Sequence, residues 1–470
     1  MIRPFHNPRL AARRYWDEYW QTMPRERLNE VHLRKIQKLI KFAYVSTPFY
    51  RGLYERAGIV PEDIRTWDDF YRKVPFTDKP DYMVDQERGG AIDRAQGGFE
   101  ARPFAAQGLG MEHILHSFQT SGTTGVPLRE VYTHYDEAFA DIWCAGWWDM
   151  GVRPEDSFYF CFTFGPWIAF WAAYWACRRM NCTVYSGAGL GTQDRIRHIL
   201  TLRPTVVVGT PTYLLHMLQA AKEMGVDLRE TSVKYLTGAG EPGLNLPATR
   251  RLLEQGWGVS HICDAYGVGE AGFVGIECGV HPGGTHIFEK HHHSYSVDPQ
   301  TGEPVPEGQV GEQVITSYHR SGQLFIKYRT HDLVERHEHF DHGCGWTWAY
   351  YPGVVLGRSD FMVTIRGVNV YPTAVESLLS QIEGASHHYE LHISRVEGMD
   401  RLAVKLEAKE GIAEEEYPEI SRHAHQTYRT AMGINVEVEV LPPGSLPRYE
   451  LKSKRFFDHR PQEIRRKLER

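Results

Sequence analysis

Between residues 157 and 267 the chain repeats one pattern: a short run of β-formers, a glycine or proline turn, then a segment with apolar residues at helical spacing. FYFCFTF precedes WIAFWAAYWACRRM, and TVVVG (205–209) precedes YLLHMLQAAKEMG (213–225). VKYLTGAG (233–240) precedes PATRRLLEQ (247–255), and HICDAYG (261–267) closes the series. Strand, loop and helix in this alternation predict an α/β domain with a largely parallel sheet. Ligands of such sheets bind at the carboxyl ends of the strands, where these glycine loops fall.

Residues 157–177 carry no charge over 21 positions, long enough to cross a bilayer. Gly165-Pro166 interrupts the run and aromatic residues dominate it, so it reads as strand, turn and helix instead. Residues 25–44 predict a further helix, with Leu33, Ile36, Leu39 and Ile40 on one face. Near residue 300 the texture changes to turns, with GEQVITS and QLFIKYRT reading as hairpin-like strands. From about 361, VTIRGVNVYP (strand and turn), PTAVESLLSQI (helix), HYELHISR, RLAVKLEAK and INVEVEVL (strands), and a helix from Glu414 to Met432 predict a small α+β domain. His291-His292-His293 reads as a solvated loop, with metal binding as the alternative.

Charge and cysteine narrow the class. Fifty-three Lys+Arg against 59 Asp+Glu give −6, which argues against sequence-independent nucleic-acid binding. Seven cysteines are sparse and odd in number, unlike a disulfide framework, and the N-terminal stretch shows no apolar signal region. Both point to a cytoplasmic protein. Aromatic residues cluster: of 12 Trp, 25 Tyr and 21 Phe, 14 lie between Phe139 and Trp175.

Thr120, Ser121, Gly122, Thr123, Thr124 and Gly125 form a Ser/Thr/Gly loop whose backbone N–H groups and hydroxyls suit a phosphate cradle. A Ser/Thr-rich surface loop is the alternative. It is not a Walker loop, because Val126-Pro127-Leu128 follows where Gly-Lys-Ser/Thr is needed. DAYGVGEAG (264–272), YRTHD (328–332) and GRSD (357–360) follow in order.

In order and spacing these motifs resemble the adenylate-forming (acyl-CoA synthetase, or ANL) superfamily, most closely its phenylacetate–CoA ligase branch. MPRERL, FAYVSTPFYRGLYERAGIVPEDI, VPFTDKPD, GTPTYLL, GRSDFMVTIRGVNVYPTAVE and LPRYELKSKR carry the likeness through nearly the whole chain. The resemblance implies a large multi-sheet N-terminal adenylate-forming domain (1–357), a hinge (358–360, turning at Asp360) and a small mobile C-terminal domain (361–470). It also implies ATP, CoA and Mg2+ as the substrates and cofactor of a two-step ligase, from a family whose members are often homodimers; the net charge and the reading of 157–177 point to no nucleic-acid or membrane partner.

By resemblance, the 120–125 loop holds the β- and γ-phosphates and Glu270 holds Mg2+. Gly240, Glu241, Pro242, Asp264, Tyr266 and Gly267 line the adenine pocket, Asp332 accepts the ribose hydroxyls and Arg358 reaches ribose or phosphate. Lys452 matches the lysine that bridges the acid and the α-phosphate, with Lys454 as the alternative register. GVNVYP (367–372) faces the CoA channel. Two departures stand out: Gly269 replaces the usual Ser or Thr before the acid, and Leu451 replaces a glycine beside Lys452. Cys278, His286, His342 and Cys344 match a Cys/His cluster of the branch, whose ligand types suit structural Zn2+; His281 competes with His286. Phe164, Trp167 and Tyr213 are candidates for an acyl pocket suited to an aryl group. The expected activity is AMP-forming ligation of an arylacetate or benzoate-type acid to CoA. Transfer to an amine or carrier protein, and a nucleotide-binding scaffold without catalysis, are the alternatives.

Overall fold

The computed structural model of the chain describes residues 13–83, 113–120, 128–241, 243–259, 261–338, 340–359, 381–396, 399–432, 435–447 and 455–460, with short pieces at 363–365, 368–370, 375 and 378–379. Backbone contacts divide it into two compact units, Met1–Thr330 with Val334–Val354, and His331–Leu333 with Val355–Arg470.

The first unit opens with helix α1 (Arg25–Ser46). Its buried Leu28, His32, Ile36, Leu39, Ile40 and Ala43 recur every three or four residues, which turns one face inward. A short helix α2 (Trp67–Lys73) follows, capped by Thr66, whose hydroxyl accepts from Asp69 N–H. Strands β1 (Ile114–Gln119) and β2 (Arg129–Thr133) then form an antiparallel hairpin that flanks the Ser/Thr/Gly loop.

The core of the unit is an eight-stranded sheet. Its parallel part comes from the repeating pattern: α3 (Asp141–Met150), β3 (Ser157–Phe160), α4 (Ile168–Met180), β4 (Thr183–Ser186), α5 (Thr192–Leu202), β5 (Val206–Val208), α6 (Pro211–Glu223), β6 (Tyr235–Ala239), α7 (Pro247–Trp257) and β7 (His261–Val268). Strands β4, β3, β5, β6 and β7 are parallel neighbours. Beyond β7 the sheet turns antiparallel, through β8 (Gly272–Ile276), β9 (Thr285–Ile287) and, later in the chain, Tyr350–Tyr351. The sheet is therefore mixed, and the expected loop after Tyr266 is instead the end of a strand that folds straight back as a hairpin.

The two faces of the parallel part differ. Phe158, Phe160, Val206, Val208, Cys263 and Ala265 face a cluster holding Trp143, Trp147, Phe139 and Trp175. Tyr159, Cys161, Val207, Leu236 and Ile262 point the other way, into a cluster of Leu214, Met217, Leu253 and Trp257. Period-two alternation along each strand sorts the side chains this way. The uncharged run 157–177 is thus split between β3 and buried α4, and no helix among the described residues is long and apolar enough to cross a membrane.

A second antiparallel pair follows, β10 (His292–Val297) with β11 (Val310–Ser317). GEQVITS thus lies between the preceding histidine segment and the strand Tyr328–Glu335, so the expected pairing with QLFIKYRT holds from Tyr328 onward, while QLFIK lies outside strands. The triple histidine is not a solvated loop. His292 is fully buried, its Nε2 against Phe273 O at 2.8 Å and its Nδ1 against Ser317 Oγ at 3.1 Å, and His293 contacts the Tyr71 hydroxyl at 3.2 Å. Burial pushes the His292 imidazole down to about 3, so it is neutral and satisfied as a core group. Strand β12 (Tyr328–Glu335) runs next, and β13 (Tyr350–Tyr351) closes the large sheet.

In the second unit, β14 (Gly357–Arg358) pairs with Asp332 and Leu333. A small hairpin joins β15 (Val363–Ile365) and β16 (Val368–Val370). Strands β17 (Ala385–Val396) and β18 (Met399–Ala408), helix α8 (Tyr417–Met432), β19 (Val436–Leu441) and β20 (Phe456–Asp458) complete a sheet of order β19-β18-β17-β20. Leu391, Ile393, Leu402, Val404, Ala424 and Tyr428 form its core. PTAVESLLSQI lies largely outside the described residues.

Candidate active site and Cys/His cluster

The β7–β8 turn presents Glu270, 7% exposed. Lys79 Nζ stands 3.7 Å from its Oε1 and 3.4 Å from Thr120 Oγ1. Lys79 is held there by its own segment: Thr77 N–H donates to Lys327 O (3.0 Å), and Arg329 N–H donates to Thr77 O (2.9 Å). The neck of the Ser/Thr/Gly loop is closed by two bonds, Thr120 N–H to Leu128 O at 2.9 Å and Leu128 N–H to Thr120 Oγ1 at 3.0 Å. Ser121, Gly122, Thr123, Thr124 and Gly125 lie outside the described residues, as do Pro242, Asp360, Lys452 and Lys454. A carboxylate, an ammonium and a hydroxyl thus converge at the base of the loop. That mixture suits a cation–phosphate complex, because hard cations take oxygen ligands and ammonium groups pair with phosphate oxygens.

Glu130, 1% exposed on β2, belongs to the same neighbourhood. The Tyr132 hydroxyl donates to its Oε2 at 2.9 Å. Burial pushes its carboxyl up to about 8; Arg320 opposes that rise, and the charge of Glu270 adds to it.

Tyr266 is 8% exposed, and its hydroxyl donates to Gln313 Oε1 at 2.5 Å. Gln313 Nε2 donates in turn to the Tyr351 hydroxyl at 2.8 Å, so the ring is held in place. Gly267 follows it, paired with Phe273. Gly240 sits at φ 98°, a conformation that glycine adopts freely. The Glu241 carboxylate accepts from Thr212 N–H at 2.9 Å and from the Thr212 hydroxyl, satisfying the first turn of α6. Asp264 is buried at the β6–β7 pairing, and burial raises its carboxyl to about 7. Next to it, Arg250 grips Glu277 at 2.8 Å. In the second unit, Asp332 and Arg358 face each other across β12 and β14 at 3.2 Å.

The acyl candidates separate. Phe164 packs edge-on to Trp171 (5.3 Å) and Phe160 (5.7 Å) on the aromatic face of the sheet. Half-buried Trp167 lies at the start of α4, folded over Gly165. Tyr213 belongs to the cluster on the opposite face, where Arg195 donates to its hydroxyl at 2.6 Å. The structure therefore groups Phe164 with Trp171 and does not bring Tyr213 to them.

Cys278, His286, His342 and Cys344 form a separate cluster, with one donor atom from each within 4.8 Å of the others. Cys278 Sγ is 3.2 Å from His342 Nε2, Cys344 Sγ is 3.5 Å from His286 Nε2, and the two Nε2 atoms are 3.3 Å apart. Bonds of about 2.0–2.3 Å in a tetrahedron give edges of about 3.5 Å, so this donor set fits Zn2+. His286 Nδ1 faces Trp348 O at 3.3 Å, and backbone N–H groups of His281 and Trp346 point at the two sulfurs at 3.4 and 3.3 Å. Such partners orient ligands from behind. The His281 ring itself pairs with the Tyr350 hydroxyl at 3.0 Å. The neighbouring Cys344 thiol and the His286 ring favour the thiolate of Cys278 and so push it down.

Sequence reasoning missed Lys79 and Glu130. Lys79 lies in the VPFTDKPD stretch, 41 residues from Thr120, and Glu130 sits in an otherwise ordinary strand. Only the fold brings them to the loop.

A mixed sheet with an acid in the turn after β7, the Thr120–Leu128 neck of a Ser/Thr/Gly loop beside that acid, and a small α+β unit later in the chain fit an adenylate-forming enzyme. The AMP-binding enzyme family model matches residues 66–323, and that of the AMP-binding enzyme C-terminal domain matches 367–460. A phenylacetate–coenzyme A ligase of Thermus thermophilus is 30% identical over 92% of this chain and 96% of its own. One of Escherichia coli is 28% identical over 94% of this chain and 97% of its own. The solved 2-hydroxyisobutyryl-CoA ligase, in its postadenylation state, is 25% identical with TM-score 0.86, over 98% of this chain and 95% of its own. The chain belongs to the AMP-binding enzymes, in the phenylacetate–CoA ligase branch of the adenylate-forming superfamily, and is an AMP-forming acid–CoA ligase.

Proposed function

We propose that the chain activates an arylacetic or benzoic-type acid. Convergence of Glu270, Lys79 and Thr120 at the neck of the loop supports the site of the first step. The acid's carboxylate oxygen attacks the α-phosphorus of ATP, the α–β bridging bond breaks, and pyrophosphate leaves. In the second step the thiol of CoA attacks the acyl carbon, AMP departs, and the thiol proton passes to solvent. No covalent nucleophile of the protein is required, so its work is positioning and charge stabilisation.

Glu270 would hold Mg2+, which would supply charge neutralisation at the phosphates. Lys79 adds an ammonium where Leu128 leaves the loop without one. Ser121, Gly122, Thr123, Thr124 and Gly125 supply further donors. Tyr266 offers a fixed ring face to adenine, with Gly240, Glu241, Pro242, Asp264 and Gly267 around it. Asp332 and Arg358 serve the ribose and phosphate. Lys452 neutralises both anions in the first step, and the domain 361–470 turns about Asp360 between steps. The aromatic side chains around Phe164, with Trp167 at the edge, support an aryl substrate. Cys278, His286, His342 and Cys344 would hold Zn2+ as a structural tie and take no part in either step. A homodimer acting in the cytoplasm completes the reading.

ATP–pyrophosphate exchange across a panel of acids tests it, followed by mass spectrometry of the CoA thioester. Exchange with aryl acids alone is expected. Absence of exchange with every acid at saturating Mg2+ defeats the proposal. Lys452→Ala should abolish exchange, by roughly 100-fold or more, yet still turn over synthetic acyl-adenylate; exchange that survives the change moves the role to another residue.

A further inference from the structure

A side chain is missing where the phosphate site needs a wall, and another side chain has filled the gap. A Cβ placed on Gly269 would stand 3.2 Å from Thr120 Cγ2 and 3.4 Å from Glu130 Oε1. A Cβ there would crowd Thr120 and come into contact with Glu130, which leaves no room beyond it on the Glu130 side. Glu130 reaches this point from β2, an inward-facing carboxyl in a strand whose residues 130–133 are all buried. An inward acid on a strand costs several kcal/mol unless it is hydrogen-bonded or used. One of its oxygens is occupied, since the Tyr132 hydroxyl donates to Oε2 at 2.9 Å, and the other points at the bare backbone of Gly269 beside Thr120. Thr120 contacts Lys79, and Lys79 contacts Glu270, the residue next to Gly269. Glu130 therefore closes a ring of polar groups around the base of the loop.

We propose that Glu130 is a positioning residue of the phosphate site, its carboxyl occupying the space of a residue-269 side chain, so that positions 130 and 269 act as one exchangeable pair. The pair fixes the Thr120 side chain and the Gly269–Glu270 backbone, and with them the two groups that face ATP. This rests on the reading of Thr120 and Glu270 as nucleotide ligands. It asks shape and hydrogen bonding of Glu130, not a negative charge.

A double-variant cycle on the full chain tests the pair, read by pyrophosphate exchange and by calorimetric ATP binding. Glu130→Ala should raise the KM for ATP roughly tenfold, with kcat and the KM for the acid changed much less. Glu130→Gln, which keeps the shape, should stay within about threefold of the wild type. Gly269→Ser alone should weaken ATP use through the clash, whereas Glu130→Ala with Gly269→Ser should recover most of the loss, a coupling of neighbours. Additive losses in the double variant overturn the proposal, as does an unchanged KM for ATP in Glu130→Ala or an equal rise for ATP and acid. If Glu130→Ala melts below the assay temperature, Glu130→Val enters the cycle with the same expectations. A wild-type chain that binds ATP through this cycle yet exchanges with no acid sinks the ligase reading and keeps the pair.

Discussion

Strand β8 separates two polar sites of opposite character. At one end the turn carries Glu270, met by Lys79 and Thr120 from segments far away in sequence. Just past the other end, Cys278 joins His286, His342 and Cys344. The first site has charges of both signs and partly open side chains, 28% exposed for Lys79 and 10% for Glu270. The second is complete in itself, three of its four residues are buried, and its donors already satisfy one another in pairs. A site that must admit and release anions keeps a loosely held charge pair within reach of solvent. A site that ties two loops together needs no opening. Perturbing one should therefore change activity without stability, and perturbing the other should do the reverse.

The largest effect is expected at the open end. Glu270→Gln should lower pyrophosphate exchange by roughly 100- to 1,000-fold, the scale of losing one preorganised electrostatic group. Its melting temperature should stay close to that of the wild type. A drop of many degrees would show that Glu270 is a structural acid and would break the contrast.

At the closed end, Cys344→Ser should release zinc, measured by elemental analysis of the purified protein, and cost about 3 kcal/mol or more of stability. Exchange per folded molecule should be unchanged. A wild-type protein without zinc, purified under reducing conditions and equilibrated with the metal, would remove the metal from the comparison. The four residues would then be only a buried hydrogen-bonded knot.

A smaller effect separates the two faces of the sheet. Phe164→Ala should change which acids are exchanged, read as ratios of kcat/KM across the panel. Tyr213→Phe should leave those ratios alone and cost about 1–2 kcal/mol, because the Arg195 guanidinium loses a buried acceptor. If Tyr213→Phe alters acid preference instead, the aryl group binds on the other face.

These contrasts explain what the sequence could and could not disclose. The parallel strands were legible because the centres of TVVVG and VKYLTGAG, Val206–Val208 and Leu236–Gly238, are buried on both faces and read as short runs without charge. The antiparallel extension was not, since GFVGI and THI are too short and too glycine-rich to read as strands. His291-His292-His293 looked solvated because histidine is usually polar surface; here Phe273 O, Ser317 Oγ and the Tyr71 hydroxyl satisfy two of the three inside the core. The Cys/His cluster could be named through the resemblance to the phenylacetate–CoA ligase branch, with His281 and His286 left as rivals that only the fold separates. That Tyr213 and Phe164 pack in different clusters was not legible, because helical period says which face of α6 is apolar and nothing about which side of the sheet it covers. Lys79 and Glu130 carry no local signature, and only the closing of the loop neck gives them a place.

The last expected effect appears only as a pH dependence and concerns the buried acid Asp264. Asp264 lies on β7, and burial lifts its carboxyl from 3.8 to about 7, against the opposing field of Arg250. A carboxyl whose folded pKa is raised holds its proton longer in the folded chain than in the unfolded one. Its contribution is then fully present below about pH 4 and is lost as the pH climbs toward 7. Stability from this group should fall across that window, by a few kcal/mol at most. Asp264→Asn, a neutral isostere, should flatten this part of the pH dependence and be no less stable at pH 7. Denaturant melts of both proteins from pH 5 to 8 measure it. A variant that keeps the wild-type slope places the titration elsewhere. A variant that also loses ATP binding, with stability unchanged, makes Asp264 a nucleotide contact through its charge.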